Sequence, residues 1–341
     1  MSILLANSRA VQGLSHWLPG NKPCVSIGLP VYNGEAFIED AINSVLDQTF
    51  QDFELIISDN ASTDKTQQIC QAFADQDPRI RYYRNVTNIG ASGNFNRVFE
   101  LSKGQYFKWL AHDDIIAPDF LARCITVLER DPSIVLCFSM ITIVDTSGMI
   151  EKPNFRNHLP LTGSDHASER FRDLVLERHG CFHIWGLMRA ADLAKTPLIG
   201  NYIGSDRGLL AELGLHGRFY EISDNLFMLR NHEGRSCKAL PFYLRTAWFD
   251  PSKKGKRVLP NWRILLEYLK SVWSAPISFN ERVRCYLIIL SWIGAKGNWA
   301  RLLCDLIVAI NPNFWRLHIG LKEWLRKQRS RPQLSSKYPM K

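Results

Sequence analysis

Residues 25–66 read "VSIGLPVYNGEAFIEDAINSVLDQTFQDFELIISDNASTDKT", and the order of patterns inside them decides the fold class. With Cys24, "CVSIGL" (24–29) is a short apolar run of strand type. From about Glu35 the apolar residues Ile38, Ala41, Ile42 and Val45 recur at the 3.6-residue spacing of one buried helix face. "FELIIS" (53–58) is a second strand, closed by "DNASTDKT", which carries turn and N-cap chemistry.

The alternation continues outward. A helix is expected to about Ala74, then strand "IRYYR" (80–84), a loop and helix through 88–102, and strand "YFKWLA" (106–111). Pro118 sits where a helix accepts its first residue, so a helix is expected to run from there to about Arg130. "IVLCFSMITIV" (134–144) is a long strand. Strands separated by helices of that length imply βαβ units, an α/β class and a mostly parallel sheet flanked by helices. Ligands in such sheets bind beyond the carboxyl ends of the strands.

The polar clusters fall at those ends. The first strand exits into "PVYNGEAF", the second into Ser58, Asp59 and Asn60, and the fourth into His112, Asp113 and Asp114. Taken singly, Asn33, Gly34 and Ser62 read as turn and cap residues, and a lone Asp-Asp reads as a solvated loop. Their convergence on one edge reads as a site. Adjacent carboxylates at the mouth of a buried strand repel, and burial sharpens the repulsion. Mg²⁺ or Mn²⁺, carrying a diphosphate, would offset it, since such ions take one or two carboxylates and complete their shell with phosphate oxygens and water. The chain has no H-E-x-x-H, no Cys/His cluster and no P-loop, and its first turn lacks G-x-G-x-x-G.

The 25–66 segment, followed by "NIGASGNFNRVFELSKGQYFKWLAHDD" (88–114), resembles the nucleotide-sugar domain of family 2 glycosyltransferases over roughly residues 24–235. The resemblance implies a GT-A fold, a sugar-diphosphonucleotide donor, a divalent ion and inversion at the anomeric carbon. Carried over by position, Asp114 would hold the metal and Asp113 would touch the donor ribose. Asp59 would accept from the nucleobase, an imide N–H that favours UDP- or dTDP-sugars with GDP as the rival. Pro30, Tyr32 and Glu35 would line the nucleotide pocket, and Asn88, Gly90 and Asn94 would form the base-contacting loop. Two departures stand out: His112 replaces the first acid of the family's metal motif, and the Arg common near Asn94 is missing.

Sugar transfer needs a base for the acceptor hydroxyl. In "YIGSDRGLLAELGLHGRFYEI" (202–222), Asp206 follows a Gly-Ser turn at a helix start. Physics alone reads it as a helix-capping acid; the resemblance makes it the catalytic base, with Arg207 keeping it ionised or binding the acceptor. Glu212 and His232 are the alternatives for this role. His232 and Arg235 of "LRNHEGRS" (229–236) would contact the diphosphate or the metal. Trp185, in an apolar stretch, reads as core rather than as a sugar-stacking ring.

The charge is uneven. Of 42 Lys/Arg and 33 Asp/Glu, residues 241–341 hold 19 and 5, a net of +14; residues 1–240 keep 23 and 28, a net of −5. The expected organisation is an N-terminal extension (1–22), a GT-A domain (23–238) with a nucleotide half (about 24–115) and an acceptor half (116–238), and a basic helical region (239–341). Helices are expected there around 259–273, 279–294, 298–310 and 313–329. With seven tryptophans in that region, an anionic membrane surface suits it, and a glycan or lipid-linked acceptor would explain such a surface. No nucleic-acid motif accompanies the charge, and an acidic crevice would repel phosphate backbones. The start of the chain lacks a charged segment before an apolar core, so no secretory signal is expected. Cys285–Ala295 is shorter than the about 20 residues that span a bilayer. The eight scattered cysteines read mostly as small buried thiols of a reducing compartment. These features place the chain in the cytoplasm, peripheral to the inner face of the membrane. Two other function classes remain: a non-catalytic membrane or nucleic-acid binder on the same fold, and a sugar nucleotidyltransferase, whose Gly-rich phosphate loop "LPVYNGEAF" does not provide.

Overall fold

The computed structural model describes residues 22–155, 159–235, 242–253, 256 and 258–310. The expected helix at 313–329, with Trp315 and Trp324, lies outside the described residues, as do Trp17, Cys237 and most of the N-terminal extension. The described elements are β1 (Val25–Val31), α1 (Ile38–Leu46), β2 (Phe53–Asp59), α2 (Thr66–Gln76), β3 (Ile80–Arg84), α3 (Gly90–Glu100), β4 (Tyr106–Trp109), β5 (Ile115–Ile116) and α4 (Phe120–Arg130). There follow β6 (Ile134–Val144), β7 (Ile150–Phe155), α5 (Ala167–Leu176), β8 (Leu187–Arg189), α6 (Ala190–Leu193), α7 (Ser205–His216) and β9 (Arg218–Arg230). The chain continues through α8 (Phe242–Phe249), α9 (Pro260–Ser274), α10 (Phe279–Gly294) and α11 (Asn298–Ile310).

Among the described residues nine strands form one sheet in the order β3-β2-β1-β4-β8-β6-β9-β5, with β7 paired to β6. β1 to β4 follow the βαβ expectation: β1 lies between β2 and β4, parallel to both, and β3 is parallel to β2. β1 and β2 are buried at every position, which is why both read as unbroken apolar runs rather than as alternation. β8 then runs antiparallel between β4 and β6, and β9 lies parallel to β6. The carboxyl ends of β1, β2, β4 and β9 therefore share one edge.

Helices cover both faces of the sheet. α1, α2 and α4 bury Ile38, Ile42, Cys70, Leu121 and Leu128 against one. On the other, Val98 of α3, Phe171 of α5 and Leu209 of α7 join Tyr268 and Val272 of α9 and Cys285, Ile289 and Trp292 of α10 in a single core. The basic helices up to Ile310 are thus part of this core, with α9 on α7 and α10 on α5. Two boundaries differ from the sequence reading. α1 begins after the Gly34–Phe37 turn, and α4 begins at Phe120 because Pro118 belongs to the preceding turn, where its carbonyl accepts Thr49 N–H (2.8 Å).

Candidate functional site

The loops after β1 and β2 hold each other in shape. Asn33 N–H donates to Ser62 Oγ (2.9 Å), Gly34 N–H to Thr66 Oγ1 (2.8 Å), and Lys65 N–H to Glu35 Oε2 (2.9 Å). Asn60 joins a third segment. Its Nδ2 donates to Asn88 Oδ1 (3.0 Å), and its Oδ1 accepts from Ile89 N–H (2.9 Å) and Asn85 Nδ2 (3.0 Å). Gly90, at φ +83°, turns that segment into α3 in a conformation that favours glycine. Tyr32, Glu35 and Asn88 are among the exposed residues of these loops.

Three residues expected to touch the nucleotide are committed elsewhere. Asp59 is fully buried and accepts from Ser62 N–H (2.8 Å), Tyr82 Oη (2.8 Å) and the Arg84 guanidinium (2.5 Å), so it braces the turn from beneath instead of facing a base. Asn94 is also buried: its Oδ1 accepts from Ser58 Oγ (2.7 Å) and its Nδ2 donates to Ser58 O (2.8 Å), tying α3 to β2. Pro30 lies buried inside β1, opposite Ser58.

The carboxylate pair owes its cations to a distant part of the chain. β5 pairs antiparallel with β9, Ile115 opposite Met228 and Ile116 opposite Phe227. Extending that register sets Asp113 beside Arg230. Arg230 is buried; its Nε donates to Asp113 O (3.1 Å), Nη1 to Thr146 O (2.9 Å) and Nη2 to Asp40 Oδ2 (2.7 Å). Its backbone N–H donates to Asp114 Oδ1 (3.0 Å). Just beyond, His232 Nε2 lies 2.9 Å from Asp113 Oδ2, and Arg235 Nη1 donates to Arg230 O (2.8 Å). Burial pushes Asp113 up, but His112, the His232 hydrogen bond and Arg235 together hold it below the usual carboxylate range. Asp114 is driven well above that range by burial and then by the charge of Asp113. Lys108, whose Nζ donates to the Trp185 carbonyl, is pushed down to about 7 by burial.

Asp114, expected to hold the metal, is 1% exposed, with one oxygen taken by Arg230 N–H and the other buried without a partner. The carboxylate at the rim is Asp113, with His232 against it. Among the described residues no three His, Cys, Asp or Glu side chains gather into a metal cage. A hard cation needs none here, because one carboxylate, diphosphate oxygens and water complete its shell. Asp113, held ionised at the rim, fits that donor set; Asp114 does not.

Asp206 stands in the first turn of α7, after Gly204 at φ +85°. Its Oδ1 accepts Arg207 N–H (2.8 Å), and the Cys181 thiol donates to its carboxylate. Burial raises its pKa against those bonds and the Arg207 charge. The Arg207 guanidinium is spent on the carbonyls of Leu174 (3.2 Å), Glu177 (3.3 Å) and His179 (2.9 Å), so it anchors the end of α5 and is not free for an acceptor. The turn that brings Cys181 to Asp206 ends at Trp185, whose carbonyl accepts a hydrogen bond from Lys108. One short turn therefore connects the Asp206 helix to β4. Trp185 is partly buried and stacks on Phe227 (centroids 6.3 Å apart, planes 8° apart), a packing role as expected. The residue the sequence reading missed is Arg230. Only its position, 117 residues after Asp113, hid it.

Comparison with known proteins bears on the family and the fold. The model of the family described as Glycosyl transferase family 2 matches residues 26–193. An uncharacterised glycosyltransferase of Methanocaldococcus jannaschii is 31% identical over 134 residues, 39% of this chain and 46% of that protein. One from Haemophilus influenzae is 39% identical over 103 residues, 30% of this chain and 41% of that protein. The chain thus spans less than half the length of these curated relatives. Among solved structures, S. aureus TarS in complex with UDP-GlcNAc superimposes with a TM-score of 0.59 at 17% identity, covering 80% of this chain and 73% of that one. TarS in complex with UDP gives a TM-score of 0.56 at 15% identity over 79% and 70%. The shared fold is GT-A, a curled α/β sheet flanked by helices.

Proposed function

Residues 26–193 make this chain a member of glycosyl transferase family 2, and from that premise we propose that it is an inverting glycosyltransferase. It moves a sugar from a UDP-sugar to a hydroxyl of a glycan or lipid-linked acceptor at an anionic membrane surface. The observation that carries the reading is the Asp113–His232 pair on the strand-end rim, with Arg230 and Arg235 behind it. Asp113 is the residue that would hold Mn²⁺ or Mg²⁺. Such an ion supplies Lewis acidity toward the leaving diphosphate. Arg235 supplies the remaining positive charge on the diphosphate side, and His232 bonds to Asp113.

Tyr32, Glu35 and Asn88 present the surface for the nucleoside. UDP is favoured because the TarS structures of the same fold hold UDP and UDP-GlcNAc. Asp59, buried, gives the base preference no direct support. Asp206 takes the acceptor proton: an acid whose pKa is raised by burial is the better base near neutral pH. Competition binding of UDP, dTDP, GDP and CDP with and without Mn²⁺, followed by hydrolysis of the favoured donor, tests the reading. Mn²⁺-dependent preference for UDP and slow release of the sugar are expected; a protein that binds none of the four is not a transferase.

A further inference from the structure

Away from the strand-end rim, a pocket of about 310 Å³ opens between α3, the loop 197–202, α7 and α9. Its size is at the lower end of small-ligand sites, about 300–1,000 Å³. What sets it apart is its lining. α9 sends Leu265, Tyr268 and Val272 into the core. The adjacent stripe of that helix, Arg263, Glu267 and Ser271 at four-residue spacing, faces α7 across the pocket. α7 answers with Gly208 and Glu212, also four apart. A helix contact selected for stability alone would be apolar at these positions. Here two carboxylates, Glu212 and Glu267, are each more than nine-tenths buried.

Their partners do not use them up. Ser271 Oγ donates to Glu212 Oε2 (2.9 Å). Glu267 Oε1 forms ion pairs with Arg263 (2.9 Å) and Lys270 (3.7 Å) but accepts no hydrogen bond of good geometry. Burial and the Glu267 charge both raise the Glu212 carboxyl above its ordinary range. Two carboxylates facing each other across a helix interface destabilise it. The rest of the wall is firm. Asn96 Nδ2 donates to Ile199 O (3.0 Å) while Ile199 N–H donates to Asn96 Oδ1 (3.0 Å), clamping the loop to α3. Gly208 lets the Tyr202 hydroxyl close in, since a Cβ there would lie 2.7 Å from it.

The chemistry selects the ligand class. With Glu267 paired to Arg263 and Lys270 and Glu212 bonded only to Ser271, the lining offers no surplus of positive charge, so it does not select the nucleotide or any diphosphate head. Adjacent sugar hydroxyls, by contrast, donate in pairs to a carboxylate. The pocket lies between α3, whose start carries the Asn88–Gly90 loop, and α7, whose start carries Asp206. We propose that this pocket is a subsite for a neutral sugar residue of the acceptor glycan. The word acceptor rests on the glycosyltransferase reading; binding of a neutral saccharide does not.

Saturation-transfer NMR on the full chain tests it, with neutral glucose, galactose, mannose and N-acetylglucosamine and their disaccharides as probes and UDP binding measured in parallel. At least one saccharide is expected to bind, and its affinity to fall at least tenfold in Glu212→Gln and in Glu267→Gln. Both changes keep shape; Glu212→Gln only removes repulsion, so its thermal midpoint should not drop, whereas Glu267→Gln also gives up the ion pairs with Arg263 and Lys270. Arg263→Gln, at a half-exposed position, provides the same affinity test should either Gln variant lose its fold. UDP binding with no saccharide signal overturns the subsite and leaves the transferase reading intact. Saccharide binding without UDP binding does the reverse. Affinity unchanged in the folded variants also overturns the subsite.

Discussion

Asp113 and Asp114 are chemically identical neighbours, and only their surroundings assign them different work. Asp113 meets His232 at the rim, whereas Asp114 points inward under Arg230 N–H. Asp113→Asn should therefore abolish Mn²⁺-dependent UDP binding in calorimetry, while Asp114→Asn keeps it. Loss in Asp114→Asn alone would return the ion to Asp114. Asp206 permits a second separation. Its folded pKa lies above its unfolded one, so its contribution to stability is full below the unfolded value and lost as pH rises through the folded one. At neutral pH the ionised side chain works against folding. Asp206→Asn, which can still accept Arg207 N–H, should leave the thermal midpoint unchanged or raise it. A base must be ionised, so wild-type transfer should fall as pH drops through that raised pKa, at a higher pH than an ordinary Asp would give. The Asn variant should lose about 10²–10⁴-fold of transfer with donor binding retained. Near-normal transfer in that variant would make Asp206 a structural acid.

At the level of elements, the short β5–β9 pairing assembles the charged end of the site. Arg230 donates to a backbone carbonyl on each of two segments and to Asp40. Arg230→Met leaves those acceptors unpaired, and a cost of about 1–3 kcal/mol is expected in denaturant titration, since a buried acceptor left unsatisfied costs about that much. Arg230→Lys should recover only part of it, because one ammonium cannot reproduce the planar fork. An unchanged midpoint in the Met variant would mean that β5–β9 pairing holds without it. The same pairing marks where sequence legibility ends. β1, β2, β3, β4 and β6 were readable because each is a local run of strand type between turn residues, whereas the roles proposed for Asp113 and Asp206 come from the family resemblance rather than from their spacing. A two-residue strand such as β5 has no period of its own. The inward turn of Asp114, the bracing role of Asp59 and the clamp of Asn94 depend on contacts with residues far along the chain, which spacing does not encode. Arg230 was invisible for the same reason: nothing in "FMLRNHEGR" (227–235) announces that its partners are Asp40, Asp113 and Thr146.

For the whole molecule, the question is why helices that already bury one face leave another apolar face in water. Phe279, Val283, Leu287 and Leu290 form an exposed stripe on α10, and Trp299, Leu303, Leu306, Ile307 and Ile310 form one on α11. Their inner faces meanwhile bury Cys285, Ile289, Trp292 and Leu302. Stripes of that kind are rare on a monomer surface and mark an interaction. Arg282, Arg284 and Arg301 lie on the same helices, and residues 311–341 add eight Lys/Arg against one Glu, a charge that would complement the anionic lipid surface proposed above. No helix among the described residues is long and apolar enough to cross a membrane; the stripe would lie in the interface. Cutting the chain near residue 240 would not test this, because it removes Tyr268 and Val272 from the core shared with α5 and α7. Point changes in the intact chain do. Wild-type protein should sediment with phosphatidylglycerol vesicles at low salt and less so at high salt, as screening shortens the reach of the charges. Leu287→Glu with Leu303→Glu, both at exposed positions, should stay in the supernatant with an unchanged thermal midpoint. Equal sedimentation of the two proteins would refute membrane docking by this face, and a concentration-dependent dimer that the double variant abolishes would assign the stripe to a second copy of the chain.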